Sequence, residues 1–144
     1  MRMTFQYDDG GRATAGYKGK AGDCTCRAIA IAAELPYQTV YDLLNEHSAN
    51  QRITKRQPRR GSARTGIYKN TIRRVLEELG WTWTPTMAIG SGCTVHLRNG
   101  ELPRGRLIVS VSKHIVAVID GVIHDTHDPS RDGTRCVYGY WRKV

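Results

Sequence analysis

A thiol attacks a carbonyl as the thiolate, so the cysteine to look for is one whose surroundings favour that form. Cys24 has such a position. It ends the glycine- and lysine-rich run Gly16-Tyr-Lys-Gly-Lys-Ala-Gly-Asp-Cys24 and precedes Thr25 to Ala33, which is rich in Ala and Ile and has no breaker. This pattern predicts a tight loop feeding a buried helix that starts at or near Cys24, with Asp23 as its N-cap. A helix N-terminus offers partial positive charge and free N–H groups, which favour the thiolate and can hold an oxyanion. The alternative is a buried small hydrophobe among Ala and Ile.

A nucleophile needs a base, and His114 opens a Val- and Ile-rich run directly after Ser112-Lys113. Asp120-Gly121 is a strong two-residue hairpin signal, so position 119 faces 122. His114 then lies opposite His127, with Asp125 diagonally near it on the same face. Asp125 can fix the imidazole tautomer. Asp128 is out of phase in an unbroken strand, and a bend before Pro129 would swing it in as an alternative third member. His114, His127 and Asp125 could also converge on a metal ion. His124 falls on the opposite face.

The remaining elements must carry these groups. Pro36 fits the first turn of a second helix, with Val40, Leu43, Leu44 and His47 at helical spacing. Ser48 to Gly66 is polar and basic, contains Pro58 and Gly61, and reads as a mobile loop. A third helix is expected at about Lys69 to Leu79, stopped by Gly80. Short strands are expected at Arg106 to Ser110, His114 to Ile119, Val122 to Thr126 and Cys136 to Trp141. Helices first and antiparallel strands last predict an α+β domain, its N-terminal helices packed on a C-terminal antiparallel sheet. With 144 residues, one domain over 1–144 is expected.

Trp81 and Trp83 share one face of a strand after Gly80, either as core or as the wall of a substrate groove. The four cysteines are Cys24, Cys26, Cys93 and Cys136. Met1 to Gly11 is polar with no apolar h-region, so a cytoplasmic location and reduced thiols are expected. Cys26 falls roughly 200° around the helix from Cys24 and reads as core. Cys93 reads as an unpartnered loop cysteine or a second reactive thiol. Structural zinc usually takes two closely spaced ligand pairs, a pattern these positions do not reproduce, and no cofactor is expected.

The formal charge of +9 is localised. Nine basic residues and no acid lie between His47 and Glu77, leaving 13 basic and 13 acidic residues elsewhere. This is a neutral chain with one basic insert, which reads either as a solvated loop or as a site for nucleic acid or an acidic protein over residues 52–74, led by Arg56, Arg59, Arg60 and Arg64. No stretch has the roughly 18 apolar residues of a membrane span, so no membrane partner is expected.

Three stretches resemble papain-like cysteine peptidases, especially small peptidases of the double-glycine leader type and related phage proteins. Gly22-Asp-Cys-Thr-Cys-Arg-Ala-Ile-Ala-Ile-Ala32 resembles their nucleophile helix, His114-Ile-Val-Ala-Val-Ile-Asp-Gly121 their histidine strand, and Asp125-Thr-His-Asp-Pro129 the segment supplying the third residue. Cys-x-x-Arg-Ala at Cys24 to Ala28 is also similar to ovarian-tumour-type deubiquitinases. The resemblance implies a papain-like fold and hydrolysis of peptide or isopeptide bonds in a peptide or protein substrate, with Cys24 as nucleophile, His114 as base and Asp125 or Asp128 as orienter. It also implies a phage-encoded protein in a host cytoplasm. Lys18 stands where that pattern places an oxyanion-binding glutamine. Lys18, Lys20 or a backbone amide is the expected substitute, beside Asp23.

Overall fold

A computed structural model describes residues 3–19, 21–50, 53–55, 57, 61–88 and 90–143. Three helices and six strands form an α+β fold: β1 (Thr4–Tyr7), α1 (Cys24–Ala33), α2 (Tyr37–Ala49), α3 (Lys69–Glu78), β2 (Trp81–Pro85), β3 (Arg106–Val111), β4 (His114–Ile119), β5 (Val122–Asp125) and β6 (Val137–Lys143). The strands make one sheet in the order β1-β5-β4-β3-β6-β2. The helices and the four C-terminal strands fall within a residue or two of their expected bounds.

The sheet is mixed rather than purely antiparallel, because β1 pairs parallel with β5 at its edge. Nothing in the sequence marks β1. All four of its residues are exposed, so it joins through backbone hydrogen bonds alone and carries no buried apolar alternation.

The β4–β5 hairpin sets the position of His114. Asp120 and Gly121 have φ of 49° and 80°, as a two-residue type I′ turn requires. Ile119 then pairs with Val122, Val118 with Ile123 and Ala117 with His124. The alternation of β3 and β4 divides the core. Ile108 and Ala117 face the helices with Ile29, Val40, Leu44, Val75 and Leu76. Leu107, Val109, Val116 and Val118 pack on the other face with Leu97, Ile123 and Val137.

Helix α1 ends without glycine. Glu34 takes the left-handed conformation at φ 57°, and the amide of Leu35 donates to the carbonyl of Ala30 at 3.1 Å. Arg106 satisfies the free carbonyls, its Nε donating to Ala32 and its Nη2 to Ile31, both at 2.7 Å. The helix is thereby anchored to the first residue of β3.

The expectation of a mobile loop from Ser48 to Gly66 needs correction at both ends. Helix α2 continues to Ala49, and Ser62 pairs with Gly66 around a turn whose Ala63 is buried. The Gly22 amide donates to the carbonyl of Arg64 at 2.6 Å, which joins this turn to the loop before Cys24. Backbone pairing and one small buried residue leave little signal in a polar sequence. Among the described residues, no helix is long and apolar enough to cross a membrane.

Candidate functional site

Cys24 is the first residue of α1 and is half-buried. Its thiol opens on the same groove as the His114 imidazole and Ile115. Nε2 of His114 stands 2.7 Å from Oδ2 of Asp125, which leaves Nδ1 for the thiol. The other carboxylate oxygen of Asp125 accepts from the Thr126 amide at 2.7 Å and from Arg27 at 3.4 Å. Those two contacts fix the carboxylate, and the carboxylate fixes the ring. The rings of His114 and His127 are 5.2 Å apart, although the β4–β5 pairing ends at Ala117 and His124 and His127 lies in a bend beyond β5.

The electrostatics favour charge separation. Burial opposes ionisation of Cys24, yet the hydrogen bond and positive charge of His114, the Ile115 amide and Arg27 together bring its pKa below that of an ordinary thiol. Burial likewise disfavours imidazolium, but hydrogen bonds to Asp125 and Cys24 outweigh it and raise His114 to about 9. Burial raises Asp125, and the bond to His114 with the Thr126 amide brings its pKa below the usual carboxylate value. The arrangement therefore stabilises a thiolate–imidazolium pair beside a carboxylate. Cys26, two residues on, is fully buried, and desolvation pushes its thiol up to about 12, consistent with a core role.

Asp125→Asn tests this coupling. The variant should lower the His114 pKa from about 9 towards the ordinary value of about 6.5, measured by NMR titration of its ring protons. Linkage fixes the sign for stability. A raised histidine pKa adds stability that is fully present below about 6.5 and is lost as pH rises through about 9. The Asn variant should lack that alkaline loss, and an unchanged titration would show that Asp125 does not govern the ring.

The groove beside Cys24 and His114 is walled by Gly22, Thr65 and Gly66 on one side, Val111 and Lys113 on the other, and Lys69 and Ile72 of α3. Lys69, Ile72, Ser110 and Ile115 continue into an adjoining recess lined by Trp83, Tyr138, Trp141 and Arg73. The described residues lining these two hollows include Lys69, Arg73 and Lys113 but no Asp or Glu. Gly139 of β6 lets the Trp83 ring lie against the strand, because a Cβ there would overlap that ring.

Several expected site residues stand elsewhere. Asp128 accepts from the Ser130 amide at 2.9 Å, an Asx-type turn before β6, and makes no contact with His114. Lys18 is exposed and does not line the groove; its carbonyl accepts from Arg64 at 3.0 Å. Asp23 is 2% exposed and makes no side-chain cap. Its carboxylate instead meets Arg27 at 2.8 Å, the Tyr37 hydroxyl at 2.6 Å and Arg12 at 3.3 Å. Because Asp23 does not cap the helix, it leaves the first-turn amides for another acceptor. Trp81 is core at 4% exposed, whereas Trp83 lines the recess. Arg64 braces the loop before Cys24, while Arg56, Arg59, Arg60 and Lys20 lie outside the described residues.

Sequence reasoning missed the Arg12–Asp23–Arg27 network, although Asp23 and Arg27 have the helical i, i+4 spacing of an ion pair. It also missed the Thr65–Gly66 wall and the Ile115 amide. The expectation of four reduced thiols is corrected as well, since Cys93 and Cys136 are joined as a disulfide. Two groups of possible metal ligands stand among the described residues, His114–Asp125–His127 and Cys93–His96–Cys136. In the first, Nε2 of His114 is held by Asp125 at 2.7 Å. Comparison with family models, with curated proteins and with solved structures gives no match for this chain.

Proposed function

We propose that the protein is a papain-like cysteine hydrolase of peptide or isopeptide bonds, with Cys24, His114 and Asp125 as its triad. The observation that carries this reading is a helix-N-terminal thiol sharing a groove with an imidazole that a fixed carboxylate holds. The Cys24 thiolate attacks the scissile carbonyl carbon, and the carbonyl oxygen becomes an oxyanion held by first-turn amides of α1. His114 imidazolium gives its proton to the departing amine, and a thioester remains on Cys24. His114, now neutral, takes a proton from water; the hydroxide attacks the thioester, and the acid is released as the thiolate re-forms. Asp125 orients the ring throughout.

The substrate lies along the groove from Gly22 and Gly66 towards Trp83. Lys69, Arg73 and Lys113 on that path favour a substrate with acidic groups and an apolar side chain for the Trp83–Trp141 recess.

The test is a peptide library screened for cleavage, with thioester adducts mapped by mass spectrometry. Cys24→Ala should lose turnover by a factor on the order of 10³ or more while keeping its circular dichroism spectrum. Equal cleavage by that variant, or an adduct on another residue, would defeat the proposal. An inert Cys24 together with salt-dependent nucleic-acid binding would favour a non-enzymatic protein acting through its basic segment.

A further inference from the structure

Away from the groove, the chain brings together three residues that stand apart in sequence. Cys93 and Cys136 are 43 positions apart, and His96 pairs with Cys136 in an isolated antiparallel bridge. Backbone bonds on both sides, Leu97 to Arg135 and Val137 to Val95, each 2.8 Å, hold the two segments in register. The ring of His96 is also fixed. Its Nδ1 is 3.1 Å from Oε1 of Glu101, which accepts the His96 amide at 3.0 Å. Nε2 is thereby turned to Cys93, 3.5 Å from its Sγ, and one donor atom from each of Cys93, His96 and Cys136 lies within 4.8 Å of the others.

We propose that, with Cys93 and Cys136 reduced, these three residues bind one thiophilic divalent cation, Zn²⁺ by preference. Two thiolates and an imidazole suit zinc, whose bonds of about 2.0–2.3 Å in a tetrahedron place S and N ligands about 3.5 Å apart. The Glu101–His96 bond is the carboxylate–histidine arrangement that fixes a ligand's tautomer and strengthens its donor nitrogen. Cys93 is exposed, so solvent supplies the fourth ligand. Reduction takes two electrons and two protons from a dithiol, which becomes a disulfide, and the cation then displaces the two thiol protons. Disulfide and metal are thus alternative clasps between the β2–β3 connection and β6. This inference does not depend on the reading of Cys24.

The test uses the whole chain, reduced with a phosphine, desalted without oxygen and titrated with Co²⁺. One equivalent should produce thiolate-to-cobalt charge-transfer absorption that Zn²⁺ abolishes. Cys93→Ser and Cys136→Ser should lose the band, and Glu101→Gln should weaken binding by about 10- to 100-fold. A band that never forms would overturn the assignment, as would one that survives Cys93→Ser and vanishes in Cys24→Ala or His127→Ala. Should the serine variants fail to fold, alkylation of the unmodified reduced chain decides. Zn²⁺ should protect Cys93 and Cys136 together, and equal labelling with and without zinc defeats the proposal.

Discussion

At pH 6 Cys24 should react with iodoacetamide at least about 10-fold faster than a free cysteine, with the label mapped by mass spectrometry. A thiol of ordinary pKa, about 8.5, is only about 0.3% thiolate at that pH. Stabilising Cys24 as the partner of imidazolium raises the thiolate fraction above that. Part of the gain is returned, because a more acidic thiol is a weaker nucleophile with a Brønsted slope of about 0.4–0.5. Cys26 is the internal control, since burial holds its thiol at about 12 and closes it to reagent. His114→Ala should remove the acceleration, because the hydrogen bond and charge of that ring oppose the cost of burying a thiolate. A rate equal to that of free cysteine, or an acceleration that survives His114→Ala, would show that no ion pair forms. Turnover should behave differently at high pH. Reaction with iodoacetamide needs only the thiolate, whereas release of an amine needs imidazolium, so cleavage should fall as pH passes about 9 while labelling persists.

The parts of this site that were legible in the sequence are those fixed by local rules. Asp120-Gly121 dictates a two-residue turn, the turn dictates the register, and the register brings Asp125 to His114. The start of α1 at Cys24 follows in the same way from glycine-rich chain giving way to Ala and Ile. What was hidden depends on long-range contacts. Asp23 has the sequence position of an N-cap, but Arg12 and Tyr37 arrive from elsewhere in the chain and claim its carboxylate. Lys18 has a plausible spacing before the nucleophile, but the turns of residues 10–19 leave it in solvent. Glu34 ends a helix in a conformation that favours glycine, with Arg106 from β3 satisfying the adjacent carbonyls. The pairing of Cys93 with Cys136 follows from the packing of the 95–97 segment on 135–137 and has no signature in spacing. The strand β1 buries none of its own residues, so no period could reveal it.

Asp23→Ala should lower the unfolding free energy by about 3–5 kcal/mol, seen as an earlier urea midpoint at unchanged m. Asp23 is 2% exposed; its carboxylate accepts hydrogen bonds from Arg27 and the Tyr37 hydroxyl and is ion-paired with Arg12. Removing it leaves Arg27 and Arg12, whose side chains are 12% and 18% exposed, as facing cations with little water to replace it. Breaking one side of a buried ionic network costs more than the network contributes in total, since the remaining charges lose both partner and hydration. The effect should reach the site through Arg27, the residue that also contacts Asp125. If the guanidinium is held between the two carboxylates, Arg27→Ala and Asp23→Ala should be strongly non-additive, and a double-mutant cycle measures the coupling directly. The opposite result has a definite meaning. Asp23→Ala that leaves the urea midpoint in place but slows cleavage would return Asp23 to the substrate side of Cys24, where its position in sequence first suggested it. A shifted midpoint with iodoacetamide reactivity retained below the transition would assign it to the frame that holds the helix in place.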